Sequence, residues 1–256
     1  MNLDTTKMNN RPYVVAIGGF DPSGGAGILA DIKTMEALDV QGLAVLSART
    51  VQTEDKFFTC AWELATQICT TIKVLADRYP IAAMKIGIMP SAVPLMRVLR
   101  HTRELLPNIP IVIDPVMRPS TSNSNYAFIS TITPKFMGLL TPTDILTPNS
   151  KEFELLFKPL FRHNSFPYDT NMIVTGVEEP GSPSVKDILY TPKGQYEMQV
   201  PRIVASKHGT GCIYSSALAS YLAKGLTLVE ACQQAQLYVR HYLTSSPTLL
   251  GCHHFN

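Results

Sequence analysis

The segment Lys207-His208-Gly209-Thr210-Gly211-Cys212 carries the strongest chemical signal in the chain. It opens a helical pattern read from about Ile213 to Leu222. Gly-Thr-Gly exposes consecutive backbone N–H groups at the positive end of a helix, a hole for an anion suited to the charge on a phosphoryl group in transfer. Cys212, in the first turn, is expected to have a lowered pKa and some thiolate character. The plainer alternative is a helix start of small residues with a buried cysteine, where His208 serves only as a hydrogen-bonding loop residue.

A second glycine-rich stretch, Ile17-Gly18-Gly19-Phe20-Asp21-Pro22-Ser23-Gly24-Gly25-Ala26-Gly27, links a strand to a helix. Glycines there let backbone approach a ligand, and the helix start attracts polar or negative groups. No Gly-Lys-Ser/Thr follows, which excludes a P-loop. Gly25-Ala26-Gly27-Ile28-Leu29-Ala30 fits G-x-G-x-x-A, but the next strand ends Leu46-Ser47-Ala48-Arg49 without the acid that a dinucleotide site requires. As a plain connection, the loop would be capped by Asp21 or Ser23.

The elements that position these loops alternate. Strands are read at Tyr13–Ile17, Leu43–Ala48, Ala82–Ile88, Ile109–Ile113, Asp144–Leu146 and Met172–Val174. Helices are read over Gly24–Leu38, along Trp62, Ala65, Ile68, Ile72 and Leu75, and after a cap at Ser91. Asp187–Tyr190 and Gln195–Val200, around Pro192-Lys193-Gly194, read as a hairpin, and two helices close the chain. Such alternation implies a layered α/β fold with a mostly parallel sheet and ligands at the carboxyl ends of its strands. The expected organisation is a single domain over residues 1–256, with 1–11 a flexible lead-in.

The 256 residues are 45% hydrophobic, which excludes disorder. With 22 basic and 20 acidic residues and no dense Lys/Arg run, neither nucleic acid nor an anionic membrane surface is an expected partner. Cys60, Cys69, Cys212, Cys232 and Cys252 are scattered, odd in number and without a CxxC pair, as befits a reducing compartment. The polar N-terminus lacks the apolar core of a signal peptide, no apolar run reaches the ~20 residues of a membrane span, and a cytoplasmic location is expected.

Together, Gly19-Phe20-Asp21-Pro22-Ser23-Gly24-Gly25-Ala26-Gly27 through Thr34, Asp114-Pro115-Val116-Met117, Thr147-Pro148-Asn149-Ser150-Lys151-Glu152 and His208-Gly209-Thr210-Gly211-Cys212 resemble the hydroxymethylpyrimidine/phosphomethylpyrimidine kinases, thiamin-biosynthetic members of the ribokinase-like superfamily. Lys85-Ile86-Gly87 and His253-His254-Phe255 match more weakly. The resemblance implies a three-layer α/β/α fold with a central, mostly parallel sheet of about eight or more strands. It implies phosphorylation of 4-amino-5-hydroxymethyl-2-methylpyrimidine and then of its monophosphate, with ATP and Mg2+, by what is commonly a homodimer. It places Gly19, Asp31, Gln52 and Val116 at the pyrimidine, and Gly209, Thr210, Gly211 and Cys212 at the transferring phosphoryl group. Cys212 stands where most of the superfamily has an Asp base, and would deprotonate or orient the substrate hydroxyl. Asn149, Thr175 and Gly176 fall on the nucleotide side, and Asp114 and Glu152 at the metal, directly or through water. Asn149 with Glu152 also fits a helix capping box, and both roles are compatible.

Several positions depart from the pattern. Phe20 is expected to crowd the substrate pocket, and Val177 to add a side chain on the nucleotide side. Ile88 replaces a frequent Met, Gln52-Thr53-Glu54 replaces Gln-Asn-Thr, Arg118-Pro119-Ser120-Thr121 adds a charge and a proline, and Phe157–Asn171 looks short for a helix. Two other readings therefore stand beside the pyrimidine kinase: a pyridoxal kinase, and a pyrimidine-binding protein that has lost catalysis.

Overall fold

The computed structural model describes residues 11–118, 129, 132–161 and 168–254. Residues 1–10 of the expected lead-in, Pro119-Ser120-Thr121, the middle of the 157–171 stretch and Phe255 lie outside the described residues.

One nine-stranded sheet runs through the described chain in the order β3-β2-β1-β4-β5-β6-β7-β8-β9. The strands are β1 (Tyr13–Phe20), β2 (Gln41–Gln52), β3 (Phe57–Trp62), β4 (Ile81–Ile86), β5 (Ile111–Ile113), β6 (Ile145–Leu146), β7 (Asn171–Glu178), β8 (Ser184–Thr191) and β9 (Gly194–Pro201). The pairings from β2 through β7 are parallel, while β3, β8 and β9 join antiparallel at the edges. This is the three-layer arrangement that the resemblance implied.

The central strands are buried on both faces, so their apolar residues are not confined to alternate positions, with Lys85 in β4 as an exception. Val15, Ile17, Met84 and Ile86 face α2 (Ala65–Arg78) and α3 (Ala92–Leu105). Val14, Ala16 and Ala83 face α1 (Gly27–Ala37), α6 (Thr210–Ala223) and α7 (Leu228–Thr244). Two short helices, α4 (Pro134–Met137) and α5 (Ser150–Glu152), complete the set; α5 continues as a π turn over Phe153–Phe157 and a 3-10 turn over Lys158–Leu160.

Three expectations change. Trp62 belongs to β3 rather than to the following helix, which starts at Ala65. The strand Phe57–Trp62 has only Phe57 buried, so no apolar alternation announced it. α6 starts three residues before Ile213 because Gly209 turns the chain at φ 77°. Ser91 is the cap residue of α3, but its side chain makes no capping bond.

The C-terminal segment returns to the site. Lys207 Nζ donates to the Ser246 carbonyl and hydroxyl and to the Thr248 carbonyl, and His208 N donates to the Leu249 carbonyl. His253 Nδ1 is hydrogen-bonded to the Tyr238 hydroxyl at 3.0 Å. Burial, with Lys33 and His254 nearby, lowers the His253 pKa to about 4. An unfolded histidine binds its proton near pH 6.5, so His253 should cost the fold stability as pH falls from 6.5 to 4. His253→Leu should remove about 1–2 kcal/mol of that pH-dependent loss, after allowance for partial exposure. Denaturant titrations of both proteins at pH 7.5 and 4.5 check this, and parallel pH dependences would contradict it.

Candidate active site

The two glycine-rich loops, far apart in sequence, meet at the carboxyl ends of the strands. Asp21 is fully buried at the centre of the meeting. Its carboxylate accepts from Ser23 N, the Ser23 hydroxyl and Ala26 N, which fixes the first loop as the expected cap. Its Oδ2 also lies 2.8 Å from His208 Nε2. Burial alone would raise the Asp21 pKa, but the hydrogen bonds from His208 and Ser23 outweigh it and hold the carboxyl below its ordinary value. An ionised carboxylate only accepts, so His208 Nε2 carries the proton of this bond.

The backbones of the loops approach equally closely. A side chain at Gly209 would overlap the Gly25 carbonyl and Ala26, and the positive φ of Gly209 also disfavours one. The thiol of Cys212 is hydrogen-bonded to Gly27 N and to the Asp114 carboxylate. As the first residues of α6, Thr210, Gly211 and Cys212 have N–H groups without acceptors in the helix, so the expected helix start is in place. The expected low thiol pKa is not: burial first, with Asp31 and Asp114 adding to it, pushes Cys212 up to about 12 despite Lys85. The helix end does not overcome burial beside two carboxyl groups, and the thiol is neutral at pH 7.

Around these loops lies a cavity of about 510 Å³, a size suited to small ligands. Toward β1–β4 it is lined by Gly19, Gln52, Phe57, Ile88 and Val116; toward β7–β9 and α7 by Thr175, Gly176, Asp187, Arg202, Gln236 and Arg240. Asp114, Asn149, Glu152, Lys85 and Gly209 to Cys212 lie between. The structure therefore gathers every residue expected from the sequence except Asp31. That carboxylate is completely buried and lines no part of the cavity. Its two oxygens each accept from Lys85 Nζ at 2.8 Å, and Oδ1 also accepts from the Ser216 hydroxyl. The expected contact of Asp31 with a ligand ring is replaced by one with Lys85, because α1 turns this position toward the sheet. The opposing charge keeps Lys85 above its ordinary pKa despite burial.

Two feared obstructions are absent. Phe20 is 40% exposed and Val177 packs against the core, and neither lines the cavity. Ile88 does, since a Cβ on Gly19 would sit 3.0 Å from it. Residues the sequence reading missed include Phe57, on the unread β3, and Asp187, Arg202, Gln236 and Arg240 on the far side. Lys85 left a signal, a lone charge within an apolar strand, whereas Asp187 stands beside Lys186 in a mixed strand and left none. Asp187 accepts from Gly176 N at 2.9 Å, fixing the positive-φ turn there, and burial raises its pKa to about 6.

Asn149 and Glu152 form the capping box: Asn149 Oδ1 accepts from Glu152 N, and Glu152 accepts from Asn149 N. Glu152 also accepts from Met117 N. Burial raises the Glu152 carboxyl to about 7 with help from Asp114, and burial raises Asp114 to about 6 against the pull of Lys85. Two buried carboxyl groups, one of which raises the other, form a hard oxygen donor pair that a divalent cation would relieve, so the residues fit Mg2+.

A model of the phosphomethylpyrimidine kinase family matches residues 21–255. The hydroxymethylpyrimidine/phosphomethylpyrimidine kinase of Aquifex aeolicus is 29% identical over 248 residues, covering 92% of this chain and 95% of its own. Longer bifunctional thiamine biosynthesis proteins also match, and the chain spans about half of their length. Among solved structures, a phosphomethylpyrimidine kinase from Clostridium difficile superposes with a TM-score of 0.68 at 26% identity, covering 90% of this chain and 99% of that one. A pyridoxal kinase from Staphylococcus aureus in complex with ADP superposes with a TM-score of 0.74 at 21% identity, covering 95% and 93%.

The geometry makes Gly209 irreplaceable. Gly209→Ala should separate the loops and weaken the affinity for a phosphate-bearing nucleotide at least ~10-fold, on the scale of ~1–3 kcal/mol for backbone strain. Isothermal titration calorimetry checks this, and an unchanged affinity would contradict the loop contact.

Proposed function

The chain belongs to the phosphomethylpyrimidine kinase family and is a phosphotransferase, and we propose that it phosphorylates 4-amino-5-hydroxymethyl-2-methylpyrimidine and then its monophosphate, from ATP, in thiamin biosynthesis. The observation that carries this is one cavity whose wall holds the start of α6, Cys212, Asp114 and Glu152 between the residues toward β1–β4 and those toward β7–β9.

In this reading the pyrimidine lies toward β1–β4. Gln52 offers both a donor and an acceptor to a ring that carries amino and ring-nitrogen groups, and Gly19, Val116, Phe57 and Ile88 wall it. The nucleotide lies toward β7–β9, against the Thr175–Gly176 turn, with Asn149 at its phosphates. The N–H groups of Thr210, Gly211 and Cys212 face the γ-phosphoryl group and stabilise its charge in transfer. Asp114 and Glu152 would hold Mg2+, which when bound neutralises phosphate charge. Phosphoryl transfer of this kind demands positioning more than a strong base. Cys212, neutral and hydrogen-bonded to Asp114, orients the substrate hydroxyl rather than removing its proton.

The likeness to pyridoxal kinases carries the fold and no substrate assignment. A binder without catalysis would follow from a trimmed nucleotide side, but there Val177 stays out of the cavity while Thr175 and Gly176 line it. Five unpaired thiols support a cytoplasmic setting, and a homodimer accompanies the family reading.

Mass-spectrometric product analysis with Mg-ATP should detect the pyrimidine mono- and diphosphate. Pyridoxal phosphate alone would reassign the substrate, and no product from either would overturn the reading. Cys212→Ala should lower kcat by about 10–100-fold with KM little changed, the signature of lost orientation. The wild-type kcat should show no thiol ionisation between pH 6 and 9. Unchanged turnover in the variant would remove Cys212 from the reaction.

A further inference from the structure

We propose that Lys85 is a catalytic residue: its ammonium group, held by Asp31, donates a hydrogen bond to the hydroxymethyl oxygen of the substrate as that oxygen attacks the γ-phosphorus of ATP. The inference rests on the proposed function and adds a residue to it.

Lys85 is the penultimate residue of β4 beside β1, where the chain order of the sheet reverses direction and ligand crevices form. Alternation puts its side chain on the face of Ala83, toward α1 and α6. There Asp31 from α1 and Ser216 from α6 converge on it, with no side-chain surface of Lys85 or Asp31 open to solvent. Two of the three ammonium protons go to Asp31. The third has no acceptor among the described residues, and Lys85 is one of the residues around the cavity. Cys212 and Asp114, close enough to act on the Lys85 charge, line the same cavity with Gly18, Gly19 and Gly27, and a substrate hydroxyl beside Cys212 would lie near it.

The backbone around the pair is cleared for it. A Cβ on Gly87 would sit 2.8 Å from Lys85 Nζ, and one on Gly18 3.1 Å from Asp31 Oδ2. Stability is a weak reason for such an arrangement, because apolar side chains of similar volume usually hold three packed elements as well as a buried ion pair does. A fixed cation at a cavity floor has a chemical use. The attacking oxygen forms the new O–P bond while the bond from the γ-phosphorus to the β–γ bridging oxygen breaks. ADP leaves with those electrons, and the hydroxyl proton ends in solvent. Charge developing on the attacking oxygen meets an ammonium already in place, where low polarity makes the interaction strong. Asp31 is then a positioning residue, which accounts for its distance from the cavity.

Lys85→Met alone would leave the Asp31 carboxylate buried and uncompensated, so the paired variant Asp31→Asn/Lys85→Met is the informative one. Wild-type turnover, measured alongside, reports on the proposed function: an inactive wild type refutes both ideas, whereas an active one isolates Lys85. The expected result is a paired variant with a cooperative melting transition, kcat lowered at least ~100-fold, and KM for the pyrimidine within about threefold of wild type. A folded paired variant with kcat within about threefold of wild type would show that Lys85 is only a counter-ion. A crystal structure of the wild type with the pyrimidine and a non-hydrolysable ATP analogue settles the point even if no variant folds. Lys85 Nζ should lie within ~3.2 Å of the hydroxymethyl oxygen, and a separation beyond ~4.5 Å would overturn the proposal.

Discussion

The contact between residues 18–27 and 207–212 is the constraint on which the site depends. Neither loop holds its shape alone. Asp21 organises the first from within and reaches His208 in the second. Gly209 lies against Gly25 and Ala26, and the Cys212 thiol takes a hydrogen bond from Gly27 N. The contact lies next to the start of α6 at Thr210, whose first residues line the cavity. The C-terminal segment backs it through Lys207 and His208, so the last residues of the chain support a loop that faces the first strand.

Around this contact the protein buries charge at considerable cost. Asp31, Lys85, Asp114, Glu152 and Asp187 all have little or no exposure. Burial raises the pKa of each carboxyl, and only Lys85 offers a full opposing charge at the centre. Apolar residues would fill the same space with less penalty. Asp187 holds the Gly176 N–H, Asp31 holds Lys85, and Glu152 holds Asn149 N and Met117 N. In each case one buried group holds another or leaves oxygen lone pairs free, an arrangement that fits a reaction moving negative charge.

Much of this was legible in the sequence, and the limits have physical causes. Glycines after strands marked both loops, because close backbone approach needs them. Apolar runs marked the central strands, because those are buried on both faces. β3 left no such mark, since an edge strand with one buried residue has no apolar period. The helix end at Cys212 is visible in sequence, whereas the two carboxyl groups beside the thiol come from α1 and from the residue that follows β5. Asp31 was placed on the wrong side of its helix's work: its partner Lys85 lies 54 residues away and only the fold joins them. The far-side residues Arg202, Gln236 and Arg240 come from a strand end and a helix face, with no motif to gather them.

The account stands on the two loops acting as one unit, and a double-mutant cycle on Asp21→Asn and His208→Phe tests that most directly. With kcat/KM for the pyrimidine as the readout, each single change should cost about as much as both together. The coupling should be at least ~1 kcal/mol, as for side chains in one buried hydrogen-bonded network. Losses that simply add, in variants that remain folded, would mean that the loops act independently and that the Asp21–His208 bond does not assemble the site.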